Sequence, residues 1–460
     1  MAEPIDRADI DPPAGAWAFA QPLPTDRFPD GGMTAREAFQ LIHLGLKIDG
    51  EPSMNLASFV TTSMEPEAEA LIHEQIRTNL IDHEEYPTAQ AIEEWCVAML
   101  ADLWHAPAVD RAVGVATVGS SEAIMLGLLA HKFRWRATRE AAGLPADRPN
   151  IVFGAETHIV WDKFARYFDV EPRKIPMRSD YYVLHPDDVM QVVDERTIAV
   201  GAVLGTTYIG ESDPIRELND RLEKLPGEGG WEVPLHIDAA SGGFIAPFAH
   251  PDELWDFRLS RVASINASGH KYGLVYPGIG WLVFRDRDFL PEELVFSVNY
   301  LGAAQPTFTF NFSRGSAMVQ AQYYNFIRLG RSGYTAVVKN MLANAQHLNT
   351  LLAGSGRFEV LNPSLMEPVV TFRLVGETDF DAFHIADKLR EHGWIVPAYT
   401  LPPDAEHVEL LRVVVRNDMS RMKVDTLFKH LMAAYDDLAG KGMPPTPTER
   451  RTHEAQRRRC

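Results

Sequence analysis

The chain has 460 residues, 46% of them hydrophobic and 23% charged, a soluble globular composition too long for one ordinary core and suited to two or three domains. A formal net charge of −19 argues against a nucleic-acid partner, because phosphate binding needs the opposite balance. No apolar run reaches the roughly 18 residues of a membrane span, the acidic N-terminus lacks a signal core, and Cys96 and Cys460 alone make no disulfide framework, so a reduced cytoplasm is expected.

In chain order, residues 1 to about 32 are rich in proline and aspartate and read as an extended arm. Thr34 with Glu37 three residues on forms a capping box that starts a helix over Phe39, Leu41, Ile42 and Leu44. A valine-rich strand from Ala112 to Val118 runs into Gly119-Ser120-Ser121-Glu122-Ala123 and a helix through Ile124, Leu126, Leu128 and Leu129. Free backbone N–H groups, two hydroxyls and the positive end of a helix dipole make that turn a phosphate seat, whereas a plain serine N-cap accounts for one serine only. Without a P-loop or a Rossmann fingerprint, the phosphate is not expected to belong to a nucleotide. Strands Ile151-Val152-Phe153-Gly154 and Ile198 to Leu204 alternate with helical stretches such as Trp161 to Arg166, which predicts right-handed crossovers, a mostly parallel sheet and site residues at strand ends.

The stretch His236-Ile237-Asp238-Ala239-Ala240 closes an apolar strand on an aspartate suited to hydrogen-bond a protonated ring nitrogen. Downstream, Ser264-Ile265-Asn266-Ala267-Ser268-Gly269-His270-Lys271 sets a lysine among small residues, where its amine can be depressed towards neutrality and attack carbonyls. Read alone, Lys271 could equally be a solvated loop charge; with Asp238 it makes the pairing that holds pyridoxal phosphate (PLP). After the strand Trp281 to Phe284, a long helix through Tyr334 and Leu342 to Leu352 bridges to a smaller domain with strands Val369 to Phe372 and Leu410 to Val415. Helices follow Asp379 and Ser420, the second carrying Val424, Leu427, Phe428, Leu431 and Tyr435 at core spacing and ending at Gly440. Arg412 stands inside an apolar strand, a costly place for a guanidinium without a partner.

From about Asp49 to about Gly440 the chain resembles the glutamate decarboxylases, fold-type I PLP enzymes among the group II amino acid decarboxylases. Besides Lys271 and Asp238, the likeness is carried by Asp82-His83-Glu84-Glu85-Tyr86-Pro87, Gly119-Ser120-Ser121-Glu122-Ala123 and Tyr300-Leu301-Gly302. It implies an α/β fold: an N-terminal arm and helix (1–54), a large domain with a mostly parallel, seven-stranded-type sheet (55–341), a smaller α/β C-terminal domain (342–443) and a disordered or subunit-contacting basic tail (444–460). By resemblance, Lys271 holds PLP as a Schiff base, Asp238 pairs with the pyridine nitrogen, and Ser120 and Ser121 seat the phosphate. Ala240, Ser268 and His270 are also assigned to the cofactor, His158 to the face of its ring, and Thr207 of Gly205-Thr206-Thr207-Tyr208 to the cofactor or its catalytic carboxylate. Ser313 would reach the phosphate from a partner subunit, and Tyr300 would sit on a mobile lid over the neighbouring site.

Ser58, Phe59 and Asp82 would hold the distal carboxyl of glutamate, and Arg412 the carboxylate that leaves, with Arg416 a nearby competitor. A helix cap at Ser58, a surface charge at Asp82 and a plain loop aromatic at Tyr300 remain the structural alternatives. Two positions depart from the pattern: most bacterial relatives carry threonine at Ser58, and glutamate decarboxylases of bacteria and plants usually carry glutamine at His158, where many other group II enzymes have histidine.

The implied reaction takes L-glutamate to 4-aminobutanoate (GABA) and CO2, consumes a proton and would suit acid resistance. Reprotonation would come from a donor such as His270, Lys271 or Tyr300. A carboxylate at Asp82 beside the substrate's own is repulsive unless one is protonated, which predicts activity on the acidic side. A homodimer is the expected minimal unit, with a hexamer left open; no metal and no membrane partner are expected. The tail, with no tryptophan or clear apolar stripe, does not read as a calmodulin target. A decarboxylase for aspartate or an aromatic amino acid is the alternative, favoured by His158 and disfavoured by Ser58, Phe59 and Asp82 together. A non-catalytic scaffold is disfavoured by the intact Lys271, Asp238 and Ser120-Ser121.

Overall fold

The structure is a computed structural model in which residues 24–109, 113–178, 180–225, 231–298 and 305–441 are described. Two units divide the chain, Met1–Asn55 and Leu56–Cys460. In the first, helix α1 (Ala35–Leu46) begins on the capping box that its sequence predicts: the Glu37 N–H donates to Thr34 Oγ1 at 3.2 Å and the Thr34 N–H to Glu37 Oε2 at 2.9 Å.

The second unit opens with helices α2 (Pro66–Gln75) and α3 (Pro87–Leu103), each started by proline, whose missing N–H costs nothing in a first turn. Strands and helices then alternate: β1 (Val113–Thr117), α4 (Ser120–Ala141), β2 (Asn150–Gly154), α5 (Val160–Tyr167), β3 (Glu171–Ile175), α6 (Pro186–Val192), β4 (Thr197–Val203), α7 (Ile215–Leu222), β5 (Leu235–Asp238), α8 (Ala246–Ala249), β6 (Val262–Ala267) and β7 (Gly280–Phe284). They form one seven-stranded sheet in the order β1-β7-β6-β5-β4-β2-β3. Pairs from β3 to β6 are parallel, and β7 runs antiparallel to both β6 and β1. A parallel return needs a crossover, usually helical; β6 reaches β7 through the Lys271 loop without a regular helix, so β7 comes back antiparallel. Strands β2, β4, β5, β6 and β7 are buried along their whole length, as in a sheet covered on both faces.

A hairpin of β8 (Phe296–Val298) and β9 (Gln305–Thr307) follows; Tyr300, between them, lies outside the described residues. Helix α9 (Ala317–Gly354) breaks at Gly330, whose φ of 56° favours glycine. A four-stranded antiparallel sheet comes last, in the order β10-β11-β13-β12, from β10 (Phe358–Val360), β11 (Val369–Leu374), β12 (Ala398–Thr400) and β13 (Glu409–Val414). Helices α10 (Ala382–Arg390) and α11 (Arg421–Leu438) belong with it, α11 capped by the Ser420 hydroxyl. The sequence predicts β11, β13 and both helices, whereas β10 and β12, three residues each, are too short to show alternation. No described helix is long and apolar enough to cross a membrane. The basic tail expected at 444–460 lies outside the described residues, as do residues 1–23 of the arm.

Candidate active site

The chain leaving β1, β2, β4, β5 and β6 surrounds a cavity of about 320 Å³ at one edge of the sheet, where open α/β sheets bind ligands. Ser120, Ser121, His158, Thr207, Asp238, Ala240, Ser268, His270 and Lys271, widely spaced in sequence, all line it. At one end α4 begins on Gly119, and the Ser120 and Ser268 hydroxyls lie 2.7 Å apart. Gly280 of β7 backs this turn so closely that a Cβ there would stand 2.5 Å from the Gly119 carbonyl carbon.

At the other end Asp238 terminates β5 and is only 4% exposed. Its Oδ1 accepts from Asn266 Nδ2 at 3.0 Å and the Ala240 N–H at 3.2 Å, and its Oδ2 from Trp161 Nε1 at 3.4 Å. Trp161 fits because β4 has a glycine facing it: a Cβ at Gly201 would lie 2.2 Å from the indole. Lys271 lines the same cavity, with its Nζ 4.7 Å from the Phe59 ring centre. Burial lowers its pKa, while Asp238 and Glu367 pull the other way, so the amine is depressed as the small-residue loop predicts. The His270 Nδ1–H donates to the Ile279 carbonyl at 2.9 Å, leaving Nε2 as the acceptor nitrogen of the neutral ring that burial favours. His158 Nδ1 accepts the Val160 N–H at 3.3 Å.

The two arginines left in competition separate. Arg412, 8% exposed, donates to the carbonyls of Thr207 and, at 2.7 Å, Ala57, with its guanidinium 5.2 Å from the Phe59 ring centre and 5.6 Å from that of Tyr399. Arg416 instead ion-pairs with Asp418 at 3.4 Å and donates to the Ser58 carbonyl at 2.8 Å. The Ser58 hydroxyl accepts the Val60 N–H at 3.1 Å, a local turn.

Asp82 and Ser313 do not line the cavity. They belong to two adjoining segments, joined where Asn79 Nδ2 donates to Ser313 Oγ at 3.5 Å and the Leu80 N–H to the Arg314 carbonyl at 2.7 Å.

Sequence reasoning missed several charged neighbours. Glu156 lines the cavity and is 2% exposed, and burial and Asp213 push its carboxyl well above the usual carboxylate range. Glu367, just before β11, is 1% exposed and is pushed up to about 8 by burial, against the opposing pull of the Ser241 hydroxyl and Lys271. It presses on the Gly205 backbone, where a Cβ would overlap its carboxyl. Glu156 stood beside His158 in a stretch already singled out, but Glu367 joins the site only through the fold.

A buried amine that shares one cavity with a carboxylate and a hydroxyl-lined helix N-terminus suits a carbonyl compound that carries a basic ring nitrogen and a phosphate, and the cavity is large enough for one. That puts the molecule among the fold-type I PLP-dependent enzymes. Residues 34–375 match the pyridoxal-dependent decarboxylase conserved domain, and the chain belongs to that family. It is 50% identical over 420 residues to glutamate decarboxylase 5 of Arabidopsis thaliana, covering 91% of this chain and 85% of that protein. To the glutamate decarboxylase of Aliivibrio fischeri it is 43% identical over 412 residues, 89% of each chain. The solved structure of a Lactobacillus brevis glutamate decarboxylase matches with a TM-score of 0.89 at 40% identity, covering 92% of this chain and 97% of that one.

Proposed function

We propose that the protein is a PLP-dependent decarboxylase that converts L-glutamate to 4-aminobutanoate and CO2. The observation that carries this is the 50% identity to a glutamate decarboxylase across 91% of the chain. PLP, when bound, supplies the electron sink for the carbanion that loss of CO2 leaves.

The chain's own residues supply the rest. Lys271 is the covalent anchor, with its amine kept reactive by burial. Asp238 holds the proton on the ring nitrogen, a charge-assisted bond worth roughly 1.5 to 3 kcal/mol. Ser120, Ser121 and the N-terminus of α4 would take the phosphate, and His158 would contact the cofactor ring. Arg412 would bind and orient the departing carboxylate, the positioning that would favour decarboxylation over transamination. Phe59 lies against both the lysine and the arginine. Lys271 Nζ, or His270 once its Nε2 has taken up a proton, would return the proton to the substrate carbon, with Tyr300 the third candidate donor. Ser58, Phe59 and Asp82 select the distal carboxyl; Asp82, Ser313 and Tyr300 act on a second subunit's cavity, so the working unit is a homodimer of a cytoplasmic enzyme.

The test is 4-aminobutanoate formation from glutamate by purified PLP-loaded protein, with aspartate and tyrosine in parallel, between about pH 4 and about pH 7.5. Selective turnover of glutamate, rising towards acid, is expected. Glutamate left inert while another amino acid is consumed would move the assignment to the reading that His158 favours.

A further inference from the structure

Behind Asp238, away from the cavity, the sheet and α4 enclose a row of polar side chains. Asn266 Oδ1 lies 2.9 Å from His236 Nε2, His236 Nδ1 lies 2.7 Å from Ser264 Oγ, and Ser264 Oγ lies 2.7 Å from His131 Nε2. His131 is 1% exposed and the other three are fully buried.

Chemistry fixes which way each hydrogen points. An ionised Asp238 can only accept, so Asn266 turns its amide N–H to Asp238 and its carbonyl to His236. His236 must then donate from Nε2, which leaves Nδ1 to accept the single hydrogen of Ser264. The Ser264 oxygen in turn accepts from His131 Nε2, and His131 Nδ1, buried without a partner among the described residues, marks the end of the row. All four hydrogens point towards Asp238, and in a dry interior such dipoles reinforce one another. Reversing the row would require a protonated Asp238. Burial keeps both rings neutral, with His236 pushed down to about 4. The helix also yields to this row: glycine is costly in a helix interior, yet a Cβ at Gly127 of α4 would stand 2.9 Å from the His236 ring.

We propose that His131, Ser264, His236 and Asn266 form a one-way hydrogen-bond chain that positions Asp238 and keeps its accepting oxygens oriented towards the cofactor's ring nitrogen. They are positioning residues, and the proposal rests on the reading of Asp238 as that nitrogen's partner.

The experiment follows the 15N shift of PLP labelled at the ring nitrogen and bound to the holoenzyme, beside kcat, KM and PLP affinity. Ser264→Ala, which cuts the chain at its middle, should move the shift towards the unprotonated value, weaken PLP binding, and lower kcat about tenfold with KM for glutamate little changed, a loss worth about 1.4 kcal/mol. Should that variant fold poorly, His131→Phe removes the outermost donor and should move the shift the same way, whereas His131→Gln, which keeps an N–H, should resemble the wild type. A wild-type shift and kcat in both Ser264→Ala and His131→Phe would overturn the chain while leaving Asp238 in place. A shift unmoved even by Asp238→Ala would overturn the Asp238 reading and the chain with it, and glutamate turnover would then judge the wider assignment separately.

Discussion

Lys271 is pulled in two directions, discharged by burial and recharged by Asp238 and Glu367, and its reactivity comes from that balance. Lys271→Ala should abolish turnover while the folded protein still binds PLP more weakly; substantial residual activity would remove the residue from the mechanism. If Asp82 reads the distal carboxyl, Asp82→Ala should raise KM for glutamate at least about tenfold, about 1.4 kcal/mol, and barely affect a substrate lacking that group. Equal losses on both would rule out that role. At this scale, the sequence exposes residues whose chemistry is local: a lysine among small neighbours, an aspartate ending an apolar strand, two serines opening a helix. It hides Glu367 and His131, which meet the site across the fold and have nothing beside them in the chain to mark them.

At the scale of elements, the sheet positions the site by giving up side chains where something must pass close. Gly201 in β4 admits Trp161, whose indole N–H reaches Asp238. Gly201→Ala forces the indole aside and should destabilise the protein by about 1 to 3 kcal/mol as an overpacked core, read as a lower urea midpoint, with weaker PLP binding alongside. The alternation of strands and helices was legible because β2 and β4 are apolar runs with helical stretches between them. The antiparallel β7 was not, since direction depends on a connection without a helix rather than on any pattern inside the strand. The polar residues inside β5 and β6, His236, Ser264 and Asn266, did carry a signal: each breaks an apolar strand, and a buried polar group needs a partner.

For the whole molecule, buried acids set how stability follows pH. Glu367 is pushed up to about 8 and Asp213 to about 7, in both cases chiefly by burial. The native state therefore keeps protons that the unfolded chain releases above the ordinary carboxyl range, and stability falls as pH rises from about 4.5 towards about 8. His236, pushed down to about 4, works oppositely: the unfolded chain takes up its proton below about 6.5, and that contribution is lost as pH falls from there towards about 4. Glu367→Gln should match the wild type near the acid end and exceed it above pH 8 by a few kcal/mol, each tenfold change in proton affinity being worth about 1.4 kcal/mol; parallel curves of unfolding free energy against pH would contradict this. The place of Asp82 and Ser313, off the cavity of their own chain, has a genetic consequence. If they serve a neighbour's cavity, an inactive Lys271→Ala chain and an Asp82→Ala chain complement each other, because a mixed dimer holds one intact site. At glutamate well below KM, where the Asp82→Ala sites contribute little, random pairing of equal amounts would return about a quarter of wild-type turnover.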